Sequence, residues 1–246
     1  MLDSILAHSM LVDRWPKSMA KPLKSGKNLY IIHAHIDNLP PISLQGRTQI
    51  RLASIDMGRE HFGFTIETRV LFGNQLVLDR DSIIKHRFEP PKTSGISYFY
   101  KQFNDFMRNY DALLRDCDFI LIEKQLTFNT KTYRDMQHLI AFFQTFPFNK
   151  LCYIIEISAK AKTKYLGCPS TVKDIKGWCV GTGHHIMILS NDQVGLRYMQ
   201  YLVSIGQKLH EIGDIVCQAE AFMKILAIDL KDDRFCILKG ILWLGE

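Results

Sequence analysis

No stretch of the 246 residues approaches the roughly 18 consecutive apolar residues that a membrane-spanning helix requires, so the composition predicts no such helix in this chain. The first residues also lack the basic start of a secretory signal and carry Asp3 and His8 there instead. No C-x-x-C pair occurs. Cys117, Cys152, Cys168, Cys179, Cys217 and Cys236 are widely scattered, several of them inside apolar segments, as expected of buried thiols in a reducing compartment. Cys168, Cys179, His184 and His185 do not have the spacing of a compact zinc module. Internal repeats and low-complexity segments are missing too. These absences predict a soluble intracellular protein with no membrane partner.

What is present describes an ordinary globular chain, 47% hydrophobic and 23% charged, long enough for one large domain or for a domain with an appendage. A net charge of +6 and a pI of 8.9 suit a polyanionic partner. Residues 1–48 stand apart as an extension of unknown role. Pro16, Pro22, Pro40 and Pro41 interrupt them, and Arg14, Lys17, Lys21, Lys24 and Lys27 make their first part basic, either a DNA-contacting arm or a solvated tail. Within the extension, residues 29–32 read as a short strand added to the main sheet.

From residue 49 the pattern is that of a mixed α/β domain running to residue 246. Three strands over 51–57, 62–68 and 75–84 with short connections predict an antiparallel meander. A polar loop with Pro90, Pro91 and Gly95 precedes a helix over 97–115, whose Phe99, Phe103, Phe106, Tyr110 and Leu113 recur at helical spacing and form a core stripe. The apolar run 119–122 has the form of a buried parallel strand and ends in Glu123. A helix over 129–144 and a strand over 151–157 follow, then the basic residues Lys160, Lys162 and Lys164. The glycine-rich segment 165–190 gives no assignment. From Asp192 two helices are expected, divided near Gly206, the second over 211–227; 235–238 and 241–244 read as a terminal strand or a dimer-contact tail.

Carboxylates fall at the ends of these elements. Asp56 closes the first core strand and is followed by Gly58, which permits close backbone approach; an Asp in an apolar strand is costly unless paired or bound to metal, although capping the following turn is the competing role. Glu123 closes the fourth strand. Glu211 and Asp214, three apart, share a face of the last helix, where a helix N-terminus favouring negative charge is the plainer explanation. Four converging carboxylates repel one another unless cations sit among them. Magnesium, which takes a few carboxylate oxygens and keeps positions for water and phosphate, satisfies that demand, and Mn²⁺ is a substitute. Two such ions support in-line hydrolysis of a phosphodiester, with Asp56 as bridging ligand, Glu123 on one metal, and Glu211 with Asp214 on the other.

Ile55-Asp56-Met57-Gly58, with Gly63-Phe64 closing the turn, resembles the opening motif of RuvC-type Holliday junction resolvases in the ribonuclease H-like superfamily. Ile122-Glu123-Lys124-Gln125 resembles their second acidic motif, particularly that of poxvirus and fungal mitochondrial resolvases. Glu211-Ile212-Gly213-Asp214-Ile215-Val216 resembles their final helix, and the three follow in the same order over about residues 50–228. The resemblance implies a ribonuclease H-like fold with a five-stranded mixed sheet flanked by helices. It also implies a homodimer and Mg²⁺-dependent symmetric nicking of four-way DNA junctions in recombination and repair. The family's basic residue after its last sheet strand falls on Lys160 or Lys162, where it steadies the scissile phosphate. Glu211 departs from the commoner Asp, and residues 1–48 have no counterpart in minimal resolvases.

Lys124, Lys131 and Arg134, with Lys160, Lys162 and Lys164, are the candidate phosphate contacts. Lys101 and Arg108 are further ones, and Phe128 and Tyr133 are candidates for stacking on bases. Glu156 lies inside a strand and is expected to be structural. The rival functions are a ribonuclease H-like nuclease acting on RNA or flaps, and an inactive nucleic-acid-binding module. An actin-like ATPase would need a second phosphate-binding Asp-Gly turn and a longer chain. A reducing, DNA-containing setting is expected: a mitochondrion, a nucleus, or the virus factory of an infected cytoplasm.

Overall fold

The computed structural model describes residues 29–33, 39–88 and 96–238. The basic part of the extension, the loop with Pro90, Pro91 and Gly95, and the segment 241–244 lie outside the described residues.

In chain order the elements are β1 (Tyr30–His33), β2 (Gln49–Asp56), β3 (Phe62–Phe72), β4 (Gln75–His86), α1 (Ile96–Arg108), α2 (Asp111–Leu114) and β5 (Phe119–Glu123). They continue with α3 (Thr130–Gln144), β6 (Tyr153–Ile157), α4 (Lys160–Tyr165), α5 (Ile175–Leu189), α6 (Gln193–Ser204) and α7 (His210–Leu230). The strands form one six-stranded mixed sheet in the order β1-β6-β5-β2-β3-β4. β2, β3 and β4 are the expected antiparallel meander, and β5 and β6 join β2 in parallel. The sheet has one strand more than the expected five. The sixth is β1, which pairs antiparallel with β6, Tyr30 opposite Ile157, so the end of the extension belongs to the sheet.

Strand alternation divides the molecule into two layers. Leu52, Phe119, Leu121, Tyr153, Ile155 and Ile157 face one core, closed by α4, α5, α6 and α7. Ala53, Ile55, Ile120, Ile122 and Ile154 face the other, closed by α1, α2 and α3. By the same alternation, Asp56 and Glu123 point to the α7 side, and Glu156 points away. Glu156 is buried and meets His33 Nε2 at 3.0 Å and Lys124 Nζ at 3.3 Å, the structural use expected of it.

Two expectations are corrected, and one unassigned segment gains a structure. The single helix over 97–115 is two helices, because the Asn109 and Tyr110 N–H groups donate to Phe106 and Met107, three residues back, and break the helical ladder. The unassigned segment 165–190 contains the helix α5. Gly183 serves packing against α7: a Cβ on it would lie 3.2 Å from the Gly213 Cα, and a Cβ on Gly213 would lie 2.7 Å from the Val180 nitrogen. Residues 235–238 are not a strand. The Ile237 and Leu238 N–H groups donate to Glu220 Oε1, so a side-chain carboxylate takes the place of a ladder partner.

A buried ionic network fastens α7 to the sheet. Arg69 Nη1 donates to Glu220 Oε2 at 2.7 Å and to the Phe235 carbonyl at 2.8 Å, and its Nε and Nη2 donate to Glu67 Oε1. Arg80 joins Glu67 to Asp192, which also caps α6 by accepting from the Gly195 N–H. Burial would raise the Glu67 pKa, and the two arginines outweigh it and leave it lowered.

Candidate active site

The site forms where β2 and β5 end side by side and α7 begins. Asp56 is the last residue of β2 and Glu123 the last of β5. α7 lies over them, and its register is pinned by two buried bonds: Ser54 Oγ donates to the Ile215 carbonyl at 2.9 Å, and Gln218 Nε2 donates to the Ile55 carbonyl at 3.3 Å. Gly63, opposite Asp56 on β3, permits this approach. A Cβ there would stand 3.0 Å from both the Glu211 carbonyl and the Ile215 side chain.

Asp214 descends from α7 toward Glu123, and one ammonium joins them. Lys162 Nζ donates to Glu123 Oε2 at 2.5 Å and to Asp214 Oδ1 at 2.7 Å, with the lysine side chain 7% exposed. The two carboxylate oxygens are therefore no farther apart than the 5.2 Å to which these distances add. Burial by itself would lower the Lys162 pKa. Glu123, Asp214 and Asp56 outweigh burial and hold it above the ordinary value. Helical geometry chooses between the two lysines that the sequence leaves open: two residues apart on α4, they point in nearly opposite directions. Lys162 enters the site and Lys160 is exposed.

Asp56 is the electrostatic counterpart. The residue is partly buried. Burial first, then Glu123, raises its pKa well above 3.8; Asp214 and Glu211 add to this and Lys162 opposes it. Glu211, the other acid of α7, meets different partners, the His61 Nδ1 at 2.9 Å and the Lys85 ammonium at 3.1 Å. Its burial is offset by a backbone hydrogen bond, Lys85 and His61, which leave its pKa lowered. The four acids thus lie in one region, with Asp56, Glu123 and Asp214 around Lys162 and Glu211 beside them on the separate partners Lys85 and His61.

His61 and Lys85 are site residues that the sequence reading missed. His61 lies in the turn directly after Asp56-Met57-Gly58, which was the one available signal. Lys85 comes from β4 and gave none. The same turn is fastened on its other side by Arg59, whose Nε and Nη2 donate to the two oxygens of buried Asp135 on α3 at 2.7 and 2.8 Å and whose guanidinium lies 4.3 Å over the Phe99 ring. Gly58 is required because a Cβ would stand 2.8 Å from the His61 carbonyl.

The donor set suits a hard divalent cation: carboxylate oxygens from three elements, one of them with its ionised form disfavoured by its neighbours. An ammonium held at 2.5 and 2.7 Å already shows that Glu123 and Asp214 share one cation. Among the described residues, no three His, Cys, Asp or Glu groups stand in ligating geometry as the side chains are placed. Lys124, Lys131, Arg134, Lys160 and Lys164 are all exposed, as are Leu126 and Phe128 in the loop after Glu123. Lys164 Nζ lies 5.2 Å from the Tyr165 ring centroid. Tyr133 is partly buried against the α1–α3 core. No described helix is long and apolar enough to cross a membrane.

No protein-family model matches the chain. "Uncharacterized protein 97L" of Invertebrate iridescent virus 3 is 28% identical over 137 residues, 55% of this chain and 62% of the viral protein, so the match spans under two thirds of that relative's length. Among solved structures, Thermus thermophilus RuvC aligns with a TM-score of 0.46 at 10% identity, over 72% of this chain and 95% of RuvC. RuvC from the same organism in complex with a Holliday junction substrate aligns at 0.41 and 10%, over the same shares. The yeast mitochondrial Holliday junction resolvase Ydc2 aligns at 0.46 and 12%, over 76% of this chain and 85% of Ydc2.

Proposed function

We propose that this chain is a divalent-metal-dependent endonuclease that resolves four-way DNA junctions by phosphodiester hydrolysis. The observation that carries the reading is the meeting of Asp56, Glu123 and Asp214, from two parallel strand ends and one helix, around the ammonium of Lys162. A pure binding module has no use for a carboxylate such as Asp56, whose ionisation is disfavoured by burial and by the neighbouring Glu123. The order of the three acidic motifs supports the junction as substrate.

Asp56, Glu123 and Asp214 would hold the metal, with Glu211 beside them. A divalent ion bound there supplies activation of the attacking water and stabilisation of the leaving 3′-oxygen. The chain's own residues do the rest. Arg59 and Glu211 hold the turn after Asp56 from both sides, so the carboxylate is positioned before substrate arrives. Lys162 steadies negative charge at the scissile phosphate. Lys124, Lys131, Arg134, Lys160 and Lys164 neutralise phosphates along the DNA, and Phe128, 81% exposed, stacks on bases. A homodimer would place two such sites for paired nicks, and the six free cysteines suit a reducing compartment, as in a nucleus or a virus factory.

The test is cleavage of a synthetic four-way junction in Mg²⁺ or Mn²⁺, with symmetric products resolved on a sequencing gel. Asp56→Asn is expected to abolish cutting while junction binding persists. Full activity in that variant would refute the site, and preference for RNA–DNA hybrids would refute the substrate.

A further inference from the structure

Lys162 does something in this structure that phosphate contact alone does not require. Its ammonium is almost fully enclosed, and two of its three N–H donors are spent on the carboxylates that a metal would need most, Glu123 at 2.5 Å and Asp214 at 2.7 Å. A magnesium ion takes oxygen at about 2.1 Å and repels a neighbouring ammonium, so the two cannot occupy the same place between these acids. Asp56 is left facing the shared ammonium with no separate cation of its own among its electrostatic neighbours. Glu211, by contrast, keeps Lys85 and His61 whether or not Lys162 stays.

We infer that Lys162 is the built-in counter-ion of this site and that a divalent metal binds by displacing its ammonium from Glu123 and Asp214. The inference rests on the metal-dependent reading above. It adds that the chain sets its own metal affinity: entry of the ion must first break two short charge-assisted hydrogen bonds.

The test uses the full chain and the metal alone, without DNA. Mn²⁺ affinity is measured by titration calorimetry in the wild type, Asp56→Asn, Lys162→Gln and Lys162→Arg. Lys162→Gln is expected to bind Mn²⁺ at least tenfold more tightly than wild type, because the competing charge is gone, while Lys162→Arg gains nothing. In the wild type, the lysine side-chain ¹⁵N resonance of Lys162, sheltered by its two carboxylates, is followed on adding Mg²⁺ and is expected to shift or exchange-broaden. That arm decides the question even if Lys162→Gln fails to fold. Asp56-dependent Mn²⁺ binding with unchanged affinity in Lys162→Gln, or a Lys162 resonance that does not respond to Mg²⁺, overturns displacement and leaves the nuclease reading standing. Absence of Asp56-dependent binding in wild type and Lys162→Gln alike overturns both.

Discussion

Replacing Asp56 by Asn should make the folded chain more stable while removing the proposed nuclease activity. The partly buried Asp56 carboxylate has Glu123, Asp214 and Glu211 as electrostatic neighbours, with Lys162 as the one opposing charge among them. Glu211 is largely answered by the Lys85 ammonium, so about one unit of repulsion remains uncompensated. At the effective dielectric of about 20 that suits such sites, this is worth ~3 kcal/mol, and partial exposure of the residue with salt screening reduces it to ~1–2 kcal/mol. The sign follows from linkage. An acid whose pKa is raised on folding binds its proton more tightly when folded, so its contribution favours folding below the unfolded-state pKa and is lost as pH rises through the folded-state pKa. At neutral pH the wild type bears that loss and Asn does not. Thermal melts at pH 7.5 without added metal should place Asp56→Asn ~2–8 °C above wild type, and the gap should close as the pH is lowered through the folded-state pKa of Asp56. Mg²⁺ should reverse the order, since only the wild type gains binding energy, ~2.7 kcal/mol at a hundredfold excess over Kd. A variant that melts at or below the wild type, or a gap indifferent to pH, would refute the claim that this carboxylate is held under strain for use.

The turn after Asp56 offers two variants with opposite expectations. Arg59→Ala strands the fully buried carboxylate of Asp135 and should cost about 2–4 kcal/mol in urea unfolding, whereas His61→Ala removes a residue whose side chain is 67% exposed and should change stability by less than about 0.5 kcal/mol. Equal effects would mean that the turn is not held from the α3 side. Arg69→Met breaks the buried network from Glu67 to Glu220 and should cost about 3–5 kcal/mol; a loss under about 1 kcal/mol in calorimetry would show that α7 is held by apolar packing alone.

How far the fold and the site were legible depends on the distance over which each feature is decided. The strand that ends in Asp56 and the one that ends in Glu123 were readable because apolar alternation and continuous runs are local signals, and the position of a charge at a run's end is visible in the chain itself. The helix α7 was readable from its periodic stripe. α5 was not, since its glycines argue against a helix in isolation and acquire their purpose only when Gly183 and Gly213 let two helices touch. β1 was anticipated as an added strand, but its place beside β6 is a matter of pairing across more than a hundred residues.

The ion pairs are the clearest case. Nothing near Arg69 in the chain announces that it will meet Glu220, 151 residues away, and Lys85 carries no mark that it will answer Glu211. Coulomb attraction depends on separation in space, and that separation exists only after the sheet has closed and α7 has settled on it. By itself the sequence determined which residues are acids at element ends, which faces of strands and helices are buried, and in what order they come, because these follow from periods of two and 3.6 along the backbone. Tertiary structure alone decided which acid shares which cation: that Lys162 rather than Lys160 turns inward, that it joins Glu123 to Asp214, and that Glu211 is held apart by His61 and Lys85.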